Sequence, residues 1–251
     1  MPTPVEDPNK AAFIERVRES LGRQSPILAT PDHPTLKATL PRHEEKVRTI
    51  LGKTDARRTT NIAMLVKHAT EASWNVQQAK SNADAAGIVG DIVAKSGARN
   101  IVRTADDLFK RVDVDAALRK HGGPPVVLAS GRTLPRQELK RLAFGSELGI
   151  CGVDYAIAET ASCVVIPRRG IARIASLAPS KLVVIVDQSQ VLESLDDFFA
   201  LMRFGFLSQR ARTPNYYNFI SGPSRTADIE QTLTIGVHGP GEVHMVIITG
   251  S

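Results

Sequence analysis

Cysteine is nearly absent: the 251 residues include two, Cys151 and Cys163. Two thiols cannot frame a disulfide-stapled domain or ligate a four-cysteine zinc or iron–sulfur centre, so a self-contained cluster redox site is excluded. Both sit in apolar contexts, GICGV and ASCVVI, and read as inert buried thiols. Aromatic residues make up only 5%, and no block of consecutive Lys or Arg exceeds two. Nucleic acid would lack both its stacking platforms and its phosphate clamps, and is not expected as a partner. No apolar run approaches the roughly 18 residues of a membrane span. Glu6, Asp7, Glu15 and Glu19 occupy the region where a signal peptide carries its apolar core. A reduced, soluble, cytoplasmic protein is the expectation.

Several catalytic devices are missing as well. There is no phosphate-loop G-x-x-x-x-G-K-[ST], no H-E-x-x-H and no G-x-S-x-G nucleophile elbow. The nearest approach to a dinucleotide fingerprint, Gly239-Pro240-Gly241-Glu242-Val243-His244, ends in His and leads into a strand rather than a helix. No helix N-terminus would then face a pyrophosphate, and no cofactor is assigned.

What remains is an ordinary globular composition, 42% hydrophobic and 23% charged, with a net charge of +6 that favours anionic partners. The length suits one α/β domain with an appendage. Residues 1–58 read as a helical, proline-rich arm. A helix is expected from Lys10 to Leu21 on the stripe Ile14, Val17 and Leu21, with Gly22 as its stop. Pro26, Pro31, Pro34 and Pro41 then crowd out regular structure before a second short helix near His43 to Leu51.

From residue 59 to 251 the pattern is that of an α/β domain. Ile62, Leu65, Val66, Ala69, Ser73 and Val76 mark one long helix, and Ala85, Ile88, Val89 and Ile92 the next. Later helices are expected at Pro135–Phe144, opened by Thr133, and at Val191–Met202. Between them lie PPVVLA (124–129), CVVI (163–166), KLVVIVD (181–187), TLTIGV (232–237) and HMVIIT (244–249). Such continuously apolar, β-branched runs suit strands covered on both faces. The expected architecture is a three-layer α/β/α sandwich on a largely parallel sheet, with some antiparallel pairing in the second half.

Three constellations carry the chemistry. In GVDYAIAETASCVVI (152–166), Tyr155, Ile157 and Glu159 alternate, so Glu159 would end a strand beside Thr160. A partly desolvated carboxylate at such a strand end can act as a general base or an acyl-accepting nucleophile; the plainer reading is a solvated carboxylate at a turn. In FISGPSRTADIEQT (219–232), Gly222 and Pro223 set a turn, and Ser224 or Thr226 would cap a short helix. Its N–H groups, with Ser221 and Arg225, would form an anion cradle; alternatively Arg225 pairs with Asp228 or Glu230. In GVHGPGEVH (236–244), His238, Glu242 and His244 are metal-ligand types without a fourth partner, so no metal is assigned, and His238, Gly239 and His244 are retained as ligand-contact candidates. Asp187 ends KLVVIVD and either faces the same edge as Glu159 or starts the next turn; Arg168, Arg169 and Arg173 read as a solvated basic face, and Tyr216 and Tyr217 as packing under the adjoining loop rather than lining a pocket mouth.

D-x-A-I-A-E-T at 154–160, S-L-A-P at 176–179, S-G-P-S-R-T-A-D-I-E at 221–230 and G-V-H-G-P-x-x-x-H at 236–244, in this order, resemble the LUD-domain family in its lactate-utilisation protein C (LutC) branch. Two departures are mild: Ala161 stands where the family often has glycine, and Ala178 where it has leucine. The resemblance implies a fold like that of ribose-phosphate isomerase, glucosamine-phosphate deaminase and the coenzyme A transferases (NagB/RpiA/CoA-transferase-like). It also implies work beside iron–sulfur partner subunits in oxidising L-lactate to pyruvate, this chain being the non-redox subunit. The expected ligand is a small anionic metabolite: lactate, pyruvate, or a phosphate or CoA compound. Thr160, Ser221, Ser224, Arg225, Thr226, Asp228, His238, Gly239 and His244 are its nominated contacts, and Glu159 the nominated catalytic residue. The alternative is a stand-alone acyl-CoA transferase-like or sugar-phosphate isomerase-like enzyme using Glu159.

Overall fold

A computed structural model describes residues 8–22, 39–120, 123–128, 135–168, 173–209, 214, 216–227 and 233–250. Thr133, Arg169 and Asp228 lie outside the described residues. The chain divides into two compact units, 1–39 and 40–251. In the first, helix α1 spans Pro8–Ser20, and Gly22 follows it at φ 63, the left-handed stop that glycine adopts at low cost.

The second unit opens with α2 (Leu40–Ala56) and α3 (Arg58–Glu71), then β1 (Asn75–Ala79), α4 (Asn82–Ser96), β2 (Ile101–Arg103), α5 (Val114–Arg119) and β3 (Val126–Val127). It continues with α6 (Arg136–Phe144), β4 (Leu148–Gly152), β5 (Tyr155–Ile157), β6 (Ser162–Val165), α7 (Ile174–Leu177), β7 (Lys181–Asp187), β8 (Val191–Leu192) and α8 (Leu195–Ser208). The last strands are β9 (Asn218–Ile220), β10 (Arg225–Ala227), β11 (Leu233–Ile235) and β12 (Glu242–Ile248).

Six strands form one sheet in the order β1-β12-β7-β4-β2-β3, and every pairing in it is parallel. Alternation along its strands feeds two cores. Leu148, Ile150, Val183, Ile185, Val246 and Ile248 pack against Val89, Ile92 and Val93 of α4 and Val114 and Leu118 of α5. On the other face, Cys151, Leu182, Val184, Val186, Met245 and Ile247 meet Ile62, Leu65 and Ala69 of α3 together with Ala156, Cys163 and Ile220. Those last three belong to a second sheet, β8-β5-β6-β9, whose outer face lies under Phe198 of α8. The expected α/β class with a parallel sheet between helical layers is what the structure has, with a small mixed sheet inserted into one layer.

Four local readings need correction. The helix expected to run through Ser73 and Val76 stops at Glu71, because Ser73 turns left-handed at φ 66 and the chain re-enters as β1. The helix expected from Val191 begins only at Leu195, where the Ser194 hydroxyl accepts from Asp197 N; Val191 and Leu192 instead extend the second sheet beside β5. TLTIGV is not the covered strand expected: among the described residues Leu233–Ile235 pairs only with β10, and Ile235 and Val237 are exposed. PPVVLA supplies only Val126–Val127, at the sheet edge.

Candidate functional site

The segment carrying Glu159 is a hairpin turn rather than a strand end. β5 and β6 pair antiparallel with Ile157 opposite Ser162, so Ala158, Glu159, Thr160 and Ala161 make the connection. Ala161 closes it at φ 52, a left-handed conformation that costs an L-residue with a side chain and favours glycine. Glu159 is exposed, and among the described residues its carboxylate has no hydrogen bond or ion pair, so the expected desolvation is not found. Its backbone is fixed: Ala158 N and Glu159 N donate to the carbonyls of Leu192 and Glu193. The Glu193 carboxylate is held below its ordinary range by Lys53 and then Arg57, each 2.8 Å away.

Side-chain contacts tie this turn to the S-G-P-S-R segment, and both to the carboxyl end of α3. The Thr160 hydroxyl donates to Ser162 Oγ at 2.9 Å, and Ser162 Oγ lies 2.6 Å from Ser221 Oγ. His68, on the last full turn of α3, places Nδ1 2.9 Å from the Ala158 carbonyl. One turn further on, the Ala72 carbonyl approaches Gly222 so closely that a Cβ there would sit 2.6 Å from it. Arg225 donates from Nη2 to Ser73 Oγ. The contacts form a circuit from α3 through the Ala158–Ser162 turn to Ser221 and Gly222, then back to α3. Ser73 and Ala161, the non-glycine residues at positive φ among those described, both belong to it. Strain of this kind persists where the surroundings over-determine the backbone, commonly at ligand sites.

The third constellation joins only in part. Ser224 staples the G-V-H-G-P loop: its N–H donates to Pro240 O at 2.8 Å, its carbonyl accepts from Gly236 N at 2.9 Å, and its hydroxyl accepts from His238 N at 3.3 Å. Gly239 packs on Ser224 and the His238 ring is exposed. The expected helix capped by Ser224 or Thr226 is absent at 225–227, where Arg225 and Thr226 pair with Ile235 and Thr234 in an antiparallel ribbon. His244 is separated from the circuit. Its neighbours Val243 and Met245 face α3, so His244 faces the opposite side of the sheet, 2.7 Å from Glu242. Hydrogen bonding to His244, and then Lys181, keep the Glu242 carboxyl below its ordinary value. No group of three or more His, Cys, Asp or Glu able to hold a metal occurs among the described residues.

The location is also not the one expected. Gly241 N bonds Ser180 O just before β7, which places these loops at the amino ends of β7 and β12. The usual ligand crevice of a parallel sheet lies at the carboxyl ends, where neighbouring strands send the chain to opposite faces, here β2 and β4. At that spot Arg168 reaches Asp154 at 2.7 Å and Asp106 at 3.7 Å, and Thr104 donates to Asp106. Burial keeps the Asp106 carboxyl above its ordinary value against the pull of Thr104 and Arg168. Farther along the same edge, a cavity of about 420 Å³ is lined by Thr59, Ile62, Val66, Gln78, Gln188 and Thr249.

His68, Ser73 and Ser162 were not nominated from the sequence. His68 carried the only available signal, a titratable residue beside the apolar stripe Ile62, Leu65, Ala69.

Residues 62–248 match the LUD domain. The chain belongs to the LUD-domain family. Over 95% of its length and 97% of the relative's it is 26% identical to lactate utilization protein C of Halalkalibacterium halodurans. Against the protein of that name from an Exiguobacterium species it is 37% identical over 43% of this chain and 47% of the relative. For the Bacillus subtilis protein, again lactate utilization protein C, the figures are 28%, 45% and 47%. A crystal structure of a DUF162 family protein from Deinococcus radiodurans superposes with a TM-score of 0.52 at 15% identity, covering 76% of this chain and 98% of that one. It supports the fold alone. LUD-domain membership fits the architecture above, and no described helix is long and apolar enough to cross a membrane.

Proposed function

We propose that this protein is the non-redox accessory member of a lactate-utilisation system, working beside iron–sulfur partner subunits, and that the circuit at the end of α3 binds a small carboxylate metabolite of lactate size. The observation that carries the reading is the convergence of the A-E-T-A and S-G-P-S-R turns on one helix end, with both left-handed non-glycine residues in the junction. Arg225 supplies the charge: it is exposed, one of its five N–H donors is used on Ser73, and among the described residues the others have no partner. Thr160 and Ser221 add hydroxyls that donate or accept. Glu159, exposed and unpaired on the same turn, serves as a contact at the rim.

Calorimetric titration with L-lactate and pyruvate tests this. Arg225→Ala is expected to weaken binding by about 1.5–3 kcal/mol, the worth of a hydrogen bond to a charged group. Unchanged affinity would remove Arg225 from the site, and no binding by the parent protein would remove the metabolite reading.

A further inference from the structure

We propose that this protein self-associates through the free edge of β1, two copies pairing antiparallel about a two-fold axis at Gln77 so that their six-stranded sheets join. The sheet has two edges, and they are built differently. β3 is two residues long and follows Pro124 and Pro125, and both shortness and proline keep an edge strand from recruiting another. β1 runs five residues in unbroken register with β12, without proline, bulge or charged side chain. Native edges of that length are normally blunted, and an unblunted one is a template for a further strand.

The register decides which backbone groups that edge offers. Ala79 is opposite Ile248, and its carbonyl accepts from Thr249 N, so Asn75, Gln77 and Ala79 direct their N–H and C=O groups toward β12. Val76 and Gln78 direct theirs outward, and among the described residues these four groups have no hydrogen bond. The two residues lie symmetrically about Gln77. An antiparallel copy centred there sets each Val76 opposite a Gln78, two pairs that exchange both bonds, so all the outward groups are satisfied at once. This self-complementarity is what a two-fold contact requires, and it identifies the occupant as a second copy. Charge does not oppose the approach. Thr59, Ala63 and Val66 of α3, which with Gln78 line the cavity of about 420 Å³, are uncharged, and in the joined sheet Val76 of the second copy borders that cavity.

Sedimentation velocity of the full chain across a concentration series is expected to show a dimer. Val76→Pro deletes the outward N–H of each copy and leaves the ladder to β12 whole. It should weaken self-association by about tenfold or more, because two of the four intermolecular bonds are lost. Gln77→Cys tests the register. At the axis the two copies of residue 77 form a non-hydrogen-bonded pair with Cα atoms about 4.5 Å apart, within the reach of a disulfide. Gln77 Oε1 has no hydrogen-bond partner to lose, and the native Cys151 and Cys163 are buried. Mild oxidation should turn Gln77→Cys into a covalent dimer on denaturing electrophoresis. Asn75→Cys, on the same face but about 13 Å along the strand from its mate, should stay monomeric there. A parent that is monomeric throughout, a dimer indifferent to Val76→Pro, or cross-linking no better from position 77 than from position 75 would each overturn the proposal. Should Val76→Pro not fold, the cross-linking pair decides.

Discussion

Gly149→Ala should leave little folded protein. Gly149 lies fully buried in β4, hydrogen-bonded into the sheet between β2 and β7, with Val102 and Leu182 as its neighbours in register. A Cβ there would stand 2.1 Å from the Ala175 carbonyl oxygen and 3.0 Å from Pro179 Cγ. The first obstacle is backbone, so no rotamer change relieves it, and the strand cannot slide because both neighbours hold it. Ordinary overpacking costs about 1–3 kcal/mol, and a carbonyl at this distance puts the variant at or beyond the top of that range. Against a total stability of about 5–15 kcal/mol this is a large fraction. Urea titration should show a much lower midpoint with the slope of the parent, or an insoluble product. A parental midpoint would show that α7 is free to move off the sheet. The S-L-A-P segment thereby acquires a physical role, as the short helix and proline that seat against a strand bare of side chain at this point.

The second large effect is expected from Gly222→Ala. Gly222 has φ 132, a region glycine alone enters readily, and its missing side chain is what lets the turn rest on the Ala72 carbonyl, 2.6 Å from the Cβ position. Backbone strain of about 1–2 kcal/mol and overlap of about 1–3 kcal/mol act together. Unlike Gly149, this turn is at the periphery, so it relieves the overlap by lifting from α3, and the Ser162–Ser221 and Arg225–Ser73 contacts break. The expected phenotype is a folded protein by circular dichroism, destabilised by about 2–4 kcal/mol, that has lost lactate affinity by at least about tenfold, more than one net hydrogen bond supplies. Parental stability together with parental affinity would contradict the close packing of this turn on α3.

The parts of the fold legible in the sequence are those whose pattern is local. KLVVIVD was read to the residue as β7, because seven consecutive residues dominated by β-branched side chains suit only a strand buried on both faces. β1 was not legible: Asn75, Gln77 and Gln78 give NVQQA almost no apolar signal, and the strand owes its existence to the parallel partner β12 at the sheet edge. The same distinction applies to the site. The motif residues could be nominated because their types suit anion binding, but their partners are far off in sequence. His68 meets Ala158 across 90 residues, Ser162 meets Ser221 across 59, and Arg225 meets Ser73 across 152. Ser224 was expected to cap a helix because Ser before an acidic turn is a local signature; it bonds instead to the backbone of His238, 14 residues away. His244 illustrates a parity effect: its neighbours in sequence reach the α3 face, and the strand's alternation puts the imidazole on the other one.

The central claim, one metabolite site assembled from two turns on the end of α3, is tested most directly by mapping backbone amide shifts of the nitrogen-15-labelled protein during L-lactate titration. The account expects the amides of Ala158–Ser162, Ser221, Gly222, Ser224 and Arg225, with those of His68 and Ser73, to move along a single saturable curve. Shifts gathered instead around Thr59, Gln78, Gln188 and Thr249, at the carboxyl edge of the sheet, or around only one of the two turns, would contradict it.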